Sequence, residues 1–286
     1  MIKKLIVENF KSIKSLEFDC KRVNLFIGEP NVGKSNVLEA IALQALQHTL
    51  NLSDLIRLND LSNLFFENDP SNKIVVVTDK LKSEVSYENG VVFIRFYNPD
   101  GNAAREFKGS FTDLSFEGQG APWDFGIHPY FFSVLNNFPV LNYDFLSPPH
   151  GANLFFLLQT NKNLRNLVSE FVQDRGFKLT LRQKNYEIEI SKEDEGILTS
   201  YPFKVISDSV QRIIFFVAAI ESNKNGNVLI FEEPESNVFP YYTKYLAEKI
   251  GIDDSKQYFL TTHNPYVLQS LIEKTSLDNL ALYLVV

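Results

Sequence analysis

The chain has 286 residues, a net charge of −7, and 44% hydrophobic and 22% charged residues. This composition is typical of one large or two small globular domains, and it excludes a global basic footprint for nucleic acid. Because no apolar run approaches the roughly 20 residues that cross a membrane, and no signal segment opens the chain, we expect a cytoplasmic protein.

The first 110 residues have mainly strand-like patterns. Residues 3–10 and 15–19 alternate between apolar and polar side chains, and residues 22–28 form an apolar run that ends in glycine. These patterns predict three strands. Segment 34–47 is apolar on most faces, which predicts a helix packed against a sheet. Three strand-like pieces within residues 73–107 are separated by Asn-Gly and Asn-Pro-Asp-Gly turns, which predicts an antiparallel meander.

The second half of the chain alternates between helices and strands. Residues 109–155 are rich in glycine, proline and aromatic side chains and give no clear element. Helices alternating with strands indicate parallel pairing, so we predict an α/β fold with an antiparallel insertion between the first and last thirds. The patterns predict helices at 161–174, 208–221, 240–250 and 265–273, and strands at 177–182, 186–190, 228–232, 257–262 and 279–286.

The cysteine and the histidines form no recognisable motif. Cys20 is the single cysteine and cannot form an intrachain disulfide, which suits a reducing compartment. We interpret it as a buried or edge residue rather than a nucleophile. Metal-ligand spacing is absent among His48, His128, His150 and His263, so the sequence predicts no zinc site.

A phosphate-binding loop follows the third predicted strand. The segment GEPNVGKS fits G-x-x-x-x-G-K-[ST] at Gly28, Gly33, Lys34 and Ser35, between a strand and a helix. The glycines let backbone N–H groups point at phosphate oxygens, and the helix N-terminus adds partial positive charge. We expect Lys34 to reach the β- and γ-phosphates of ATP and Ser35 to ligate Mg²⁺. The other predicted nucleotide-binding residues of this segment are Asn31, Val32 and Asn36.

Two glutamates end the apolar run VLIF at residues 228–231. A P-loop site needs a second carboxylate, from a neighbouring strand end, to hold Mg²⁺, and Glu232 occupies that position. Glu233 follows where a carboxylate can take a proton from the attacking water. The alternative is a solvated acidic helix cap before Pro234.

The next predicted strand ends in Thr-Thr-His, with His263 as its last residue. A polar side chain at the C-terminal end of a parallel strand lies in the ligand crevice of such sheets. We therefore predict that His263 senses or stabilises the γ-phosphate. The alternative is a structural histidine.

The order of these motifs resembles ABC-type ATPases, in the branch that includes SMC, RecF and OLD-like proteins. The opening LIVENFKSIKSLEFD is similar to the N-terminal strand pair of that branch, which implies that Lys11 and Ser12 lie near the nucleotide. EEPESNVFPYY is similar to the Glu-Glu-Pro-Glu form frequent in OLD-like ATPases, and TTHNPYVL resembles the segment of the switch histidine.

The resemblance implies a P-loop NTPase fold, with a mostly parallel core sheet, an antiparallel β subdomain and a helical lobe. Residues 1–286 are then one composite ATPase head. We expect residues 1–50 and 206–286 to form the nucleotide-binding core, and residues 51–205 to form the inserted antiparallel and helical region.

One family motif departs from its usual form. The branch has a signature, often Ser-Asp-Gly, that closes over the ATP bound to another head. Here Ser207 and Asp208 are followed by Ser209 in place of glycine. Serine still offers a hydroxyl and a backbone N–H to a γ-phosphate in trans but adds a side chain, and the alternative is an N-capped buried helix. The glutamine of the family's Q-loop has two candidates, Gln119 and Gln159.

The resemblance also implies how the head works. Two copies would clamp two ATP molecules, and hydrolysis would pass motion to a partner. The favoured hypothesis is a stand-alone ATPase that acts with a separately encoded effector in anti-phage defence. Two alternatives stay open: a RecF-like clamp that closes around duplex DNA in repair, and a binding module that uses ATP as glue without turnover. A transporter subunit is not favoured, because the signature lacks the Gly-Gly-Gln form.

Overall fold

The computed structural model describes residues 1–110, 114–119, 124–139 and 143–286. Within these ranges no helix has the length and apolarity needed to cross a bilayer. The strands of the first half are β1 (Lys4–Phe10), β2 (Ile13–Asp19), β3 (Val23–Ile27), β4 (Ile74–Thr78), β5 (Lys82–Glu88), β6 (Val91–Tyr97), β7 (Ala103–Ser110), β8 (Glu117–Gln119) and β9 (Ile127–Tyr130). Those of the second half are β10 (Lys178–Arg182), β11 (Glu187–Asp194), β12 (Ile197–Pro202), β13 (Val228–Glu232), β14 (Gln257–Thr261) and β15 (Leu280–Leu284). The α-helices are α1 (Lys34–Ala42), α2 (Leu154–Thr160), α3 (Lys162–Gln173), α4 (Asp208–Ser222), α5 (Pro240–Ile252) and α6 (Pro265–Lys274).

A five-stranded parallel sheet runs through the core in the order β15-β3-β14-β13-β9. Strands β13 and β14 are buried along almost their whole length, as expected for a parallel sheet covered on both faces. The predicted strand–helix alternation of the last third is confirmed. Strand β9 lies in the segment that gave no clear element, so the region 51–205 also contributes an edge strand to the parallel sheet.

Alternate residues of each core strand enter two separate cores, because strand side chains point to opposite faces. In β13, Leu229 and Phe231 pack on the face covered by α4, α5 and α6. Val228 and Ile230 pack on the other face, against α1. The core sheet is therefore covered on both sides.

Helix α1 lies between two sheets. Its apolar residues share one core with side chains of the parallel sheet and of the antiparallel sheet that contains β1 and β4. This double burial explains why the segment is apolar on most faces. The α-helix ends at Ala42, earlier than predicted, and the chain continues as 3₁₀ turns over Leu43–His48.

The second sheet is antiparallel and has the order β2-β1-β4-β5-β6-β7-β8. The predicted meander is confirmed, and it extends further than expected because the hairpin of β1 and β2 joins it through β1–β4 pairing. A third sheet has the order β10-β11-β12, in which β12 adds a strand to the predicted pair.

Truncating a side chain in the centre of the parallel sheet should destabilise the protein strongly. Phe231 is 0% exposed, and its ring centroid lies 5.0 Å from that of Phe216. We expect Phe231→Ala to lower the free energy of unfolding by about 3–5 kcal/mol, because it removes buried contacts and leaves a cavity. The matched variant Phe239→Ala, at a residue that is 66% exposed, should change it by about 0.5 kcal/mol or less. Urea unfolding without nucleotide measures both, and equal losses would contradict the assigned core.

Candidate nucleotide-binding site

A cavity of about 590 Å³ lies where β3, β13 and β14 end. Most of the predicted site residues line it, which brings together the phosphate loop, the two glutamates and the histidine. The predicted residues in the cavity wall are Lys11, Asn31, Gly33, Lys34, Ser35, Asn36, Glu232, Glu233 and His263. Sequence reasoning missed Pro30, Arg57, Phe131, Phe132, Arg212 and Ser236, which also line it.

Lys34 is buried at the start of α1, directly after the loop. Its ammonium donates hydrogen bonds to the backbone carbonyl oxygens of Gly28, at 3.1 Å, and Glu29, at 2.7 Å. Burial lowers the pKa of Lys34, and the charge of Glu233 acts in the opposite direction. The loop thus holds a positive charge in its interior, where charge-assisted bonds to phosphate are strong.

The loop is tight enough to require glycine at position 33. Gly33 has a φ of 97°, and a Cβ placed there would lie 2.9 Å from the hydroxyl oxygen of Ser12. That oxygen accepts a hydrogen bond of 2.7 Å from the side-chain amide of Asn36. Ser12 therefore supports the loop from behind and does not line the cavity, and the loop residues Gly28 and Val32 do not line it either.

The hydroxyl of Ser35 donates a hydrogen bond to Glu232 Oε1. We expected the two residues to come from neighbouring strands, but β14 lies between β3 and β13, so the contact spans two strand spacings. Glu232 also accepts from Arg57, whose Nη2 lies 2.9 Å from Oε1. Carboxylate and hydroxyl oxygens are ligands that Mg²⁺ prefers, so the donor set fits a magnesium ion.

Two further charged residues, Glu39 and Lys11, hold Arg57 in place beside Glu232. Arg57 Nε lies 2.9 Å from Oε1 of the buried Glu39, and the ammonium of Lys11 pairs with the other oxygen of Glu39. Lys11 also donates 2.6 Å to the carbonyl oxygen of Arg57. The loop that contains Arg57 is therefore held to α1 by a buried carboxylate. A single arginine in a polar loop has no periodic pattern that would reveal it in the sequence.

Glu233 faces the cavity and is held from three directions. Its backbone N–H donates to Thr261 Oγ1 at 3.2 Å, and its Oε2 accepts from the hydroxyl of Ser236 at 3.0 Å. Its Oε1 lies 3.0 Å from His263 Nε2. Glu233 also has a φ of 39°, a left-handed conformation that costs free energy in a residue other than glycine. A solvated helix cap would need none of these contacts.

Glu235 is a residue of the same segment to which the sequence assigned no role. Its carboxyl group is buried, and burial raises its pKa, although a hydrogen bond from the Thr262 hydroxyl opposes this. The Thr262 oxygen in turn accepts the backbone N–H of Asn264 at 2.9 Å. Glu235 therefore joins the loop of Glu233 to the loop of His263. Glu235 is the third acidic residue among four positions at the end of a buried strand, and this density is the sequence signal that could have identified it.

Ser207, Asp208 and Ser209 lie at the start of α4 and do not line this cavity. The hydroxyl of Ser209 donates 2.7 Å to the backbone carbonyl of Asn237. The Ser207 side chain accepts no capping hydrogen bond, so the simple cap alternative lacks its defining contact. Arg212, one helical turn later, lines the cavity, and its Nε lies 2.9 Å from Asp208 Oδ2.

The remaining candidates gain no support from the geometry. Gln159 is exposed at the end of α2 and does not line the cavity, while the side chain of Gln119 lies outside the described residues. Cys20 is half-buried, and burial raises its pKa to about 12, so its thiol is protonated at neutral pH. It has no contact with the cavity wall.

The fold and the phosphate loop define a P-loop ATPase. The sequence family described as "AAA domain, putative AbiEii toxin, Type IV TA system" matches residues 23–269, which is most of the chain. The chain therefore belongs to this family. No curated protein matches the chain in sequence.

Three solved structures of SMC heads are similar to the chain, and the first of them has a TM-score above 0.5. The SMC head bound to the C-terminal winged-helix domain of ScpA has a TM-score of 0.52 at 15% identity, covering 94% of this chain and 92% of that chain. The SMC head domain from Thermotoga maritima has a TM-score of 0.42 at 16% identity, covering 95% of this chain and 92% of that chain. The Pyrococcus furiosus SMC head bound to the C-terminal domain of ScpA has a TM-score of 0.48 at 14% identity, covering 94% of this chain and 91% of that chain. The family and the first of these structures confirm the predicted ABC- and SMC-like P-loop ATPase.

Removing the loop ammonium should weaken nucleotide binding. We expect Lys34→Ala to lower ATP affinity by about 10- to 100-fold, because a hydrogen bond to a charged group contributes about 1.5–3 kcal/mol. Titration calorimetry with ATP and Mg²⁺ measures the change. Lys14→Ala, which removes an exposed ammonium on β2, is the matched control and should bind as the unmodified chain does. Equal affinities for the two variants would contradict the assignment.

Proposed function

We propose that the chain is an ATPase head that hydrolyses ATP with Mg²⁺, dimerises around the nucleotide and drives a separately encoded effector. The observation that supports this most directly is the contact between Ser35 and Glu232. These residues are 197 positions apart, yet the two proposed magnesium ligands meet beside Lys34. A chance glycine-rich turn would have no reason to face a carboxylate at the end of a distant strand.

Binding is assigned to the loop and its surroundings. The backbone N–H groups of residues 31–35, which follow Pro30, and the ammonium of Lys34 hold the phosphates, while Asn31, Asn36 and Lys11 contribute polar side chains to the wall. Ser35 and Glu232 hold Mg²⁺, which supplies positive charge beside the phosphate oxygens when bound.

Hydrolysis is assigned to Glu233 and His263. Glu233 accepts a proton from water as the water oxygen attacks the γ-phosphorus, and the bond to the β–γ bridging oxygen breaks to leave ADP and phosphate. His263 orients Glu233 through the 3.0 Å contact and offers a ring N–H to the γ-phosphate. The contact with Ser236 fixes the second carboxylate oxygen. The general base is thus held in place before the nucleotide arrives, which limits its reorganisation.

Two features outside the cavity support dimerisation: the position of the signature residues and a pair of exposed aromatic side chains. The signature residues Ser207–Ser209 do not face the chain's own cavity, so contact with ATP requires a second head. In the segment that follows Glu233, Phe239 is 66% exposed and Tyr241 is 69% exposed. Exposed aromatic side chains are enriched where proteins associate. This aromatic edge lies beside the signature, because Ser209 bonds to Asn237.

An effector partner is proposed from the family and the fold. The solved SMC head with this fold is bound to a domain of another protein, ScpA. A defence role rests on family resemblance, and the word toxin in the family description is in keeping with it.

The base assignment predicts a large loss of turnover in Glu233→Gln. We expect ATP hydrolysis to slow by ~10²-fold or more, while ATP affinity changes little, because glutamine keeps the shape but cannot accept the proton. Phosphate release at saturating ATP measures turnover. Glu273→Gln removes the same charge from a distant exposed site on α6 and should hydrolyse ATP normally. Normal turnover in Glu233→Gln would refute the base, and none in the unmodified chain would favour the ATP-glued module.

The clamp predicts an ATP-dependent dimer when hydrolysis is blocked. Glu233→Gln should sediment as a dimer with saturating ATP and Mg²⁺ and as a monomer without them. Adding Ser209→Arg should abolish the dimer through steric and charge conflict at the signature, whereas adding Ser209→Gly should retain it. A Glu233→Gln protein that binds ATP but stays monomeric would rule out the clamp.

A further inference from the structure

Three side chains with metal-ligating atoms meet away from the nucleotide cavity. His48 ends the 3₁₀ turns after α1, Asp124 precedes β9, and His128 lies within β9. The ligand atoms of all three lie within 4.8 Å of one another. His128 Nε2 is 2.9 Å and His48 Nε2 is 3.8 Å from the same oxygen, Asp124 Oδ1. The cluster is at the amino end of β9, whereas the nucleotide cavity is at the opposite, carboxyl edge of the sheet.

The hydrogen-bond network fixes which nitrogen of His128 carries a proton. The side-chain amide of Asn223 donates 2.7 Å to the carbonyl oxygen of Ala219, so its oxygen is the atom that faces His128 Nδ1. His128 Nδ1 must therefore be the donor. The other nitrogen, Nε2, then presents a lone pair to the Asp124 carboxylate in a neutral ring. Two acceptors at 2.9 Å require a proton or a cation between them.

His48 provides the independent indication of a ligand. Its side chain is only 5% exposed, and within the described part of the chain its Nε2 makes no hydrogen bond. A buried polar nitrogen without a partner costs about 1–3 kcal/mol. A metal–nitrogen bond would remove that cost.

We propose that His48, Asp124 and His128 bind one divalent transition-metal ion, with Zn²⁺ as the best match. Zn²⁺ takes histidine nitrogen and carboxylate oxygen in tetrahedral geometry at about 2.0–2.2 Å, which places ligand atoms about 3.3–3.6 Å apart. The observed separations of 2.9 and 3.8 Å bracket that spacing. The Asp124 side chain is 40% exposed and gives the ion a route from solvent.

The surroundings of the cluster also suit a bound metal. Asn223 accepts from the non-ligating nitrogen of His128, as outer partners of metal-bound histidines do. The ring of Phe145 stacks on His128 with centroids 4.4 Å apart and shields that face. The ammonium of Lys80 donates to backbone carbonyls, with its nitrogen 3.0 Å from the oxygen of Phe125. The competing state is a proton on His128 Nε2, forming an ion pair with Asp124.

The proposed ion would connect two helices that serve the nucleotide. His48 ends the extension of α1, whose first residue is Lys34. Asn223 follows α4, whose first turn contains the signature residues. The metal would therefore join the distant ends of these helices, with a structural role that does not depend on ATP turnover.

Zinc binding by the full chain tests the proposal. After treatment with a chelator, the protein is titrated with Zn²⁺ in competition with a chromophoric chelator. We expect Asp124→Asn and His48→Gln to bind one equivalent fewer than the unmodified chain, with affinity at this site lowered at least ~100-fold by loss of a ligand. His150→Gln, at a histidine outside the cluster, is the matched control and should keep the full stoichiometry. Any Zn²⁺ that binds near His263 is common to the unmodified chain and the variants, so it cancels when their stoichiometries are subtracted.

Two more readouts separate the metal from a structural effect. Co²⁺ in place of Zn²⁺ should give visible ligand-field bands that are lost in Asp124→Asn. Zn²⁺ should raise the melting temperature of the unmodified chain and of His150→Gln but not that of Asp124→Asn. Asp124→Asn keeps the side-chain shape, so it should fold without metal. Equal zinc stoichiometry in the unmodified chain and both cluster variants, or no uptake by the folded unmodified chain, would overturn the site in favour of the proton-bridged pair. Neither result depends on ATP hydrolysis.

Discussion

The double burial of α1 is the constraint on which the rest of the site depends. The helix is packed between the parallel and the antiparallel sheet, so it cannot shift without breaking its packing against one of them. Its first residue, Lys34, and the hydroxyl of Ser35 are therefore fixed relative to the strand ends. Glu39, on the same helix, binds both Lys11 and Arg57 and so places the opposite wall of the cavity. One buried helix thus orients the loop, the metal ligands and the basic wall together.

Three glutamates of one short segment have different environments, and their chemistry differs accordingly. Glu232 contacts a hydroxyl and a guanidinium, and its oxygens are of the kind that ligate a hard cation. Glu233 contacts a histidine and a serine and stays open to the cavity. Glu235 is buried against Thr262, and burial favours its protonated form. The segment EEPE is therefore one motif with a proposed metal ligand, a proposed base and a residue that joins two loops.

Local sequence patterns predicted the elements whose shape is decided locally. The helices and strands of the last third lie within a few residues of their predicted bounds, and the phosphate loop is identifiable because its chemistry requires fixed residue types in a row. The sequence missed β9 and Arg57, since an edge strand of four residues and a lone loop arginine have no period. It also gave no hint of the histidine cluster. His48 and His128 are far apart in the chain, and only the packing of α1 against β9 brings them together.

His263 follows β14, the strand that lies between β3 and β13, and α6 begins two residues after it. On either side of it, the Thr262 hydroxyl donates to Glu235 and accepts the backbone N–H of Asn264, so this connection is held at both ends. Ten helical residues make a rod of about 15 Å. If the histidine changes partner as proposed above, the change would act on one end of this helix. The other end packs against α5, where Lys274 leaves no room for a side chain at Gly251.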